Sequence, residues 1–117
     1  MLKTTCAIMI IFSMGLNYLL LGEPNKERKK PDIIYFGATW CEPCKKMKTI
    51  FKDPQVKKEL QKFNFKIVDI DESPELKTKY KIRVVPTTVI KNSNKITKYE
   101  GYMTKSKLLR LLSNITP

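Results

Sequence analysis

Two cysteines three positions apart, in Trp40-Cys41-Glu42-Pro43-Cys44-Lys45, are the side chains of this sequence best suited to chemistry. They follow the apolar run Ile33-Ile34-Tyr35-Phe36, and the residues after them carry helical spacing. Only a thiolate attacks a disulfide, and a helix N-terminus favours a thiolate through its unpaired N–H groups and its macrodipole. Cys41 is expected at such an N-terminus. Cys44, one turn on, lies on the same helical side and can close a disulfide back onto Cys41. The chemistry this spacing allows is dithiol–disulfide exchange.

Other uses of the pair fare worse. Zinc takes four ligands, and the chain has no histidine; its third cysteine, Cys6, lies in an apolar N-terminal segment. Only a zinc site shared between chains would be left, so no metal and no cofactor is expected. Haem attachment needs a histidine after the second cysteine, where Lys45 stands. Protease chemistry with a histidine base falls to the same absence. A purely structural disulfide remains the alternative to redox exchange.

The elements that must position the pair can be read outward from it. Ile33–Phe36 has the continuous apolar character of a strand buried on both faces. Gly37-Ala38-Thr39 turns the chain out of the sheet. In the helix that follows, Cys44, Met47 and Phe51 share one face, with Ile50 beside them, so Cys44 should point inward and Cys41 stay at the accessible tip. Asp53-Pro54 restarts the helix with a good N-cap and a proline in the first turn, and Val56, Leu60 and Phe63 continue the apolar stripe. Phe65–Ile70 reads as a second strand. Ser73-Pro74-Glu75 is another cap followed by a first-turn proline, with Ser73 expected as the N-cap, and opens a short helix through Tyr80. Pro86–Ile90 and Lys95–Tyr99 read as two more strands, joined at Asn92-Ser93-Asn94. Residues 104 to 115 form a last helix that turns Leu108, Leu111, Leu112 and Ile115 inward. Alternating strands and helices imply a βαβ crossover, then a hairpin and a covering helix: an α/β fold.

The 117 residues fit one domain, 31–117, plus an extension. Residues 6–21 are uncharged and follow Lys3, the pattern of a secretory signal or a short membrane helix. No clean small-x-small cleavage site follows, so residues 1–22 read as an uncleaved signal-anchor, a hydrophobic helix, with a cleaved signal peptide as the alternative. Residues 23–30 are a basic linker. An export signal of this shape puts the domain on the extracytoplasmic, periplasmic side, whereas the charges of Lys26, Arg28, Lys29 and Lys30 pull towards cytoplasmic facing. The net charge is +12. The lysines are scattered through every helix and loop without interleaved exposed aromatics, so the surface reads as solvated rather than nucleic-acid-binding.

With these residues in hand, the chain resembles the thioredoxin superfamily over most of 31–117. Trp40-Cys-Glu-Pro-Cys44 is similar to its redox motif. Val85-Pro86-Thr87 is similar to the loop whose proline is cis and lies beside the cysteines, and Tyr99-Glu-Gly101 to the glycine that closes the hairpin. The stretch Phe51-Lys-Asp53-Pro54-Gln-Val56 is similar to thioredoxin-like domains of exported or membrane-linked bacterial disulfide reductases. The resemblance implies a thioredoxin fold trimmed towards its minimal core, a mixed four-stranded sheet flanked by helices. It implies a monomeric thiol–disulfide oxidoreductase acting on disulfide-containing proteins and recharged by an upstream thiol reductant. Cys41 would attack and Cys44 resolve. Trp40, Val85 and Pro86 would hold substrate, while Glu42 and Pro43 would tune the redox potential. Glu42, a negative charge beside Cys41, favours a reductase over an oxidase or isomerase; a binding module that keeps only the fold is the non-enzyme alternative. One departure stands out. The family's buried aspartate, six residues before the first cysteine, is Tyr35 here, and its lysine partner is Ile67, which leaves Glu42 or a water for its proton-transfer role.

Overall fold

The computed structural model describes residues 29–115. β1 (Asp32–Gly37) lies inside a four-stranded sheet of order β2-β1-β3-β4. It pairs in parallel with β2 (Asn64–Asp69) and antiparallel with β3 (Thr87–Asn92), and β3 pairs antiparallel with β4 (Lys95–Glu100). The mixed four-stranded sheet is the one the resemblance implies, and its βαβ crossover and terminal hairpin are those the α/β pattern implies. An inner strand needs cover on both faces, which is why β1 is apolar from Ile33 to Phe36: Ile33, Tyr35 and Phe36 are all buried. Gly37 ends this strand rather than starting the turn.

Helices supply the cover. α1 (Glu42–Phe51) lies over the Tyr35 face, where the Tyr35 ring stands edge-on to Phe51 at 4.8 Å and Phe51 meets Phe65 of β2 at 4.9 Å. Phe36 points the other way and meets Tyr80, at the end of α3 (Pro74–Lys79), at 5.7 Å. α2 (Pro54–Leu60) continues from α1 after a break at Asp53 and packs on α4 (Lys105–Asn114). Asp53 caps α2 as expected, accepting the N–H groups of Gln55 and Val56. Its carboxylate also meets Lys105 Nζ of α4 at 2.9 Å.

Two expectations need correction. Ser73 does not cap α3 with its side chain; its carbonyl accepts the N–H groups of Leu76 and Lys77 instead. Pro86 stands outside β3, because it has no N–H for the ladder, while its carbonyl takes the Gly101 N–H at 2.8 Å. The last helix turns inward as expected: Leu108 and Leu112 are buried, and Leu111 and Ile115 pack against the same core while partly covered. The N-terminal hydrophobic helix and the signal-anchor reading lie outside the described residues. Among those described, no helix is long and apolar enough to cross a membrane.

Candidate active site

Cys41 is the N-cap of α1. Its backbone is extended (φ −91°, ψ 112°), and its Sγ accepts the Cys44 N–H at 3.3 Å. Pro43 sits in the first turn, where its missing N–H leaves no helical bond unmade. The two cysteines form a disulfide, with 5.2 Å between their Cα atoms. The same N–H that now points at sulfur would stabilise a thiolate once the bond is reduced.

Cys44 faces inward at 0% exposure, as the helical spacing predicts. Cys41 is a correction: it is only 4% exposed, not an open tip. The cause is the loop before β3, which folds over it so that the Val85 carbonyl oxygen lies 3.8 Å from Cys41 Sγ. The Val85–Pro86 bond is cis, as the resemblance implied. This loop is tied down at both ends of the proline. Thr87 Oγ1 donates to the Val84 carbonyl at 2.7 Å, and Gly101, at φ 94°, donates its N–H to the Pro86 carbonyl. Only glycine adopts that backbone conformation readily.

Trp40 is 65% exposed, and its Nε1–H donates to Asp71 Oδ2 at 3.0 Å. The ring is therefore held at the surface rather than packed on the helix. It shares a cavity of about 170 Å³ with Val84, Val85, Ile82 and the side chains of Lys77 and Arg83. Trp40, Cys41, Cys44, Val85 and Pro86 thus come together from two chain segments. A larger apolar groove of about 540 Å³, lined by Phe51, Leu60, Phe65 and Ile67, does not include either cysteine.

Glu42 is part of the helix start but stands in solvent. Lys45 Nζ donates to its carboxylate at 2.8 Å, and that hydrogen bond, with the lysine's charge, holds the carboxyl below its ordinary range. Tyr35 is wholly buried beneath the cysteines, and its hydroxyl donates to the Cys44 carbonyl at 3.2 Å. Burial pushes this phenol up to about 12. Sequence reasoning missed Asp71 and Thr87. Their partners, Trp40 and the Val84 carbonyl, come together only in three dimensions, although a hydroxyl after a proline and a carboxylate after a strand are weak signals of turn-fixing contacts.

The family model for thioredoxin matches residues 23–114. The chain belongs to the thioredoxin family. Its Cys41–Cys44 pair is accordingly the active-site disulfide of a thiol–disulfide oxidoreductase. The chain is 33% identical over 84 residues to a thioredoxin of Mycoplasmoides gallisepticum, covering 71% of this chain and 82% of that one. It is 37% identical over 76 residues to thioredoxin H5 of Oryza sativa, covering 64% of this chain and 55% of the rice protein, so it spans about half of that relative's length. Among solved structures it is similar to the thioredoxin Deadhead of Drosophila, with a TM-score of 0.65, 30% identity and coverage of 77% of this chain and 84% of that one. The oxidised mitochondrial thioredoxin 3 of Saccharomyces cerevisiae shares the fold, with a TM-score of 0.64 at 24% identity over 76% of this chain and 82% of that one.

Proposed function

We propose that this protein is a protein-disulfide reductase in which Cys41 is the nucleophile and Cys44 the resolving thiol. The observation that carries the reading is the asymmetry between the two sulfurs. Cys41 Sγ receives the Cys44 N–H and lies beside the Val85 carbonyl, whereas Cys44 is sealed beneath. In the reduced protein, the Cys41 thiolate attacks a substrate disulfide, forming a mixed disulfide and releasing one substrate thiol. Cys44 then attacks Cys41, restores the bond seen here and releases the second thiol. An upstream thiol reductant returns the pair to the dithiol.

Substrate reaches the buried sulfur as an extended segment laid along the Val85-Pro86 loop, with Trp40 as its apolar wall. The exposure of Trp40 and Val84, 65% and 46%, supports that role. Pro43 shapes the helix start; Glu42, neutralised by Lys45, tunes the potential only weakly. Residues 1–22 act as a signal-anchor or signal, the lysine-rich linker follows, and the domain works on the extracytoplasmic side. That part rests on the sequence pattern alone.

The reduction potential of the pair, equilibrated against glutathione and dithiothreitol, tests the direction. A value near about −270 mV is expected for a reductase; one near about −120 mV would make the protein an oxidant. Thiol labelling of whole cells with a membrane-impermeant reagent tests the side: labelling of the Cys41 thiol is expected, and its absence in cells that label after lysis would overturn the extracytoplasmic reading.

A further inference from the structure

The space beneath Cys44 is filled from β1. Tyr35 is wholly buried there, edge-on to Phe51, with its hydroxyl on the Cys44 carbonyl. Gly37, on the same face two residues later, leaves room for it. A Cβ at Gly37 would come within 3.1 Å of Tyr35 Cε1, 3.4 Å of its hydroxyl and 3.5 Å of Cys44 Cβ. The phenol and the Cys44 side chain therefore border the same small space.

The surroundings of that space contain no buried charge. Across the sheet from Tyr35 stand Ile67 of β2 and Thr88 of β3. Thr88 is 1% exposed, and its hydroxyl has no hydrogen-bond partner. Among the described residues no charged side chain is buried. Lys48 on α1, Lys66 and Asp69 on β2, Lys91 on β3 and Asp53 before α2 are each partly or fully in solvent, as is the Glu42–Lys45 pair. The buried polar side-chain atoms at the Tyr35–Thr88 pair are thus two hydroxyls, while the carboxylate of Asp69, in register with Gly37, is engaged by the Asp71 N–H at 2.8 Å. Burial keeps the phenol protonated well beyond neutrality.

We propose that Tyr35 is the positioning residue of the resolving step, fixing the Cys44 backbone from below while offering no base for its proton. This rests on the reading of Cys44 as the resolving thiol. In that step a new Cys41–Cys44 bond forms as the bond from Cys41 to the substrate sulfur breaks. The electron pair goes to the departing sulfur, and the proton given up by Cys44 passes to that thiolate or to solvent water. No protein carboxylate takes part.

The test uses the reduced full-length protein carrying Cys6→Ser, so that only Cys41 and Cys44 react, and 5,5′-dithiobis(2-nitrobenzoate), since each attack releases one coloured thiolate. The first phase reports Cys41, and the second reports Cys44 resolving the mixed disulfide. Between pH 5 and 9 the second phase is expected to climb about tenfold per pH unit to a single inflection, that of the thiol itself. Tyr35→Phe should slow the second phase about threefold or more at every pH, with its inflection and the first phase unmoved. Gly37→Ala, which crowds the hydroxyl, should slow the same phase. Tyr35→Asp should add a second inflection. Two inflections in the unaltered protein, a Tyr35→Phe second phase as fast as the original, or a shifted inflection in place of a slower rate would each overturn the proposal. Cys44→Ser separates the two readings: losing only the second phase keeps Cys44 as resolving thiol, whereas losing the first instead would make Cys44 the nucleophile and remove the basis of the proposal.

Discussion

At one end of β1, the α1 N-terminus and the Val85-Pro86 loop, which the Gly101 N–H holds at the Pro86 carbonyl, close around the disulfide until its cysteines are 4% and 0% exposed. At the sheet's β2 edge, similar apolar residues are left open. Among the described residues β2 has a strand partner on one side only, Ile67 is 46% exposed, and a groove of about 540 Å³ is lined by Phe51, Leu60 and Phe65 with Lys48, Lys52 and Lys57. The two regions share the Tyr35 face of the sheet and even the Phe51 ring. They differ in what happens to the backbone. At the cysteines, the Cys44 N–H, the Cys44 carbonyl and the Pro86 carbonyl each have a named partner, whereas the outer edge of β2 has no strand to pair with among the described residues. Tight closure belongs to the strands that carry the site, β1, β3 and β4, and the chemistry should not depend on the open edge.

The sharpest way to break that contrast is to alter one side chain in each region. Cys41→Ser should take disulfide reduction of insulin to the uncatalysed background, since Cys44, the other thiol among the described residues, is wholly buried. Ile67→Ser, at the open edge, should leave turnover within about twofold. A comparable loss in both would mean that the edge belongs to the working surface.

Stability should divide along the same line. Phe51 is 5% exposed and packs on both Tyr35 and Phe65, so Phe51→Ala should cost about 3–5 kcal/mol in urea unfolding. Ile67→Ala should cost under about 1 kcal/mol, because the residue already meets water. If the two losses were equal, something would have to cover the groove in solution.

How far the sequence anticipates each region follows from the range of the interactions involved. The cysteine pair, the helix they open and the inward turn of Cys44, Met47 and Phe51 depend on spacing within one element, and periodicity finds them. Asp53-Pro54 is equally local, a cap and a first-turn proline side by side. The covering of Cys41 is another matter, because Val85 is 44 residues away and only the folded loop brings its carbonyl over the sulfur. Trp40 meets Asp71 across 31 positions for the same reason. Ser73 misled because its type suits a cap while its backbone (φ −129°, ψ 65°) leaves the side chain without a cap bond. Tyr35 was visible as an oddity of the motif; its hydrogen bond to Cys44 was not.

A smaller effect separates the buried phenol from exposed ones. Burial raises Tyr35 above its ordinary value of 10.0, to about 12. The unfolded chain therefore ionises first. The stability this residue contributes is whole below about pH 10, falls as the pH climbs towards about 12, and is then gone; two units correspond to about 2–3 kcal/mol. Tyr35→Phe should flatten that part of the alkaline unfolding curve. Identical alkaline curves for the unaltered protein and Tyr35→Phe would show that the phenol is hydrated after all.

The smallest expected effect lies within the site itself, at Glu42. From sequence, its charge beside Cys41 argues for a reductase. In the structure that charge is shared with Lys45 at 2.8 Å, and both side chains are largely in water, at 74% and 57% exposure. An exposed, paired carboxylate has a screened and partly cancelled field at a sulfur covered by Val85. Glu42→Gln should therefore shift the equilibrium with glutathione by less than about threefold. Lys45→Gln should shift it further, because it leaves the carboxylate unpaired at the α1 N-terminus, next to Cys41. The pairing stands while Glu42 is ionised and is lost as the pH falls through its lowered range, so the gap between the two variants should close in acid. A Glu42→Gln shift of about tenfold at neutral pH, larger than that of Lys45→Gln, would restore Glu42 as the residue that sets the direction of the reaction.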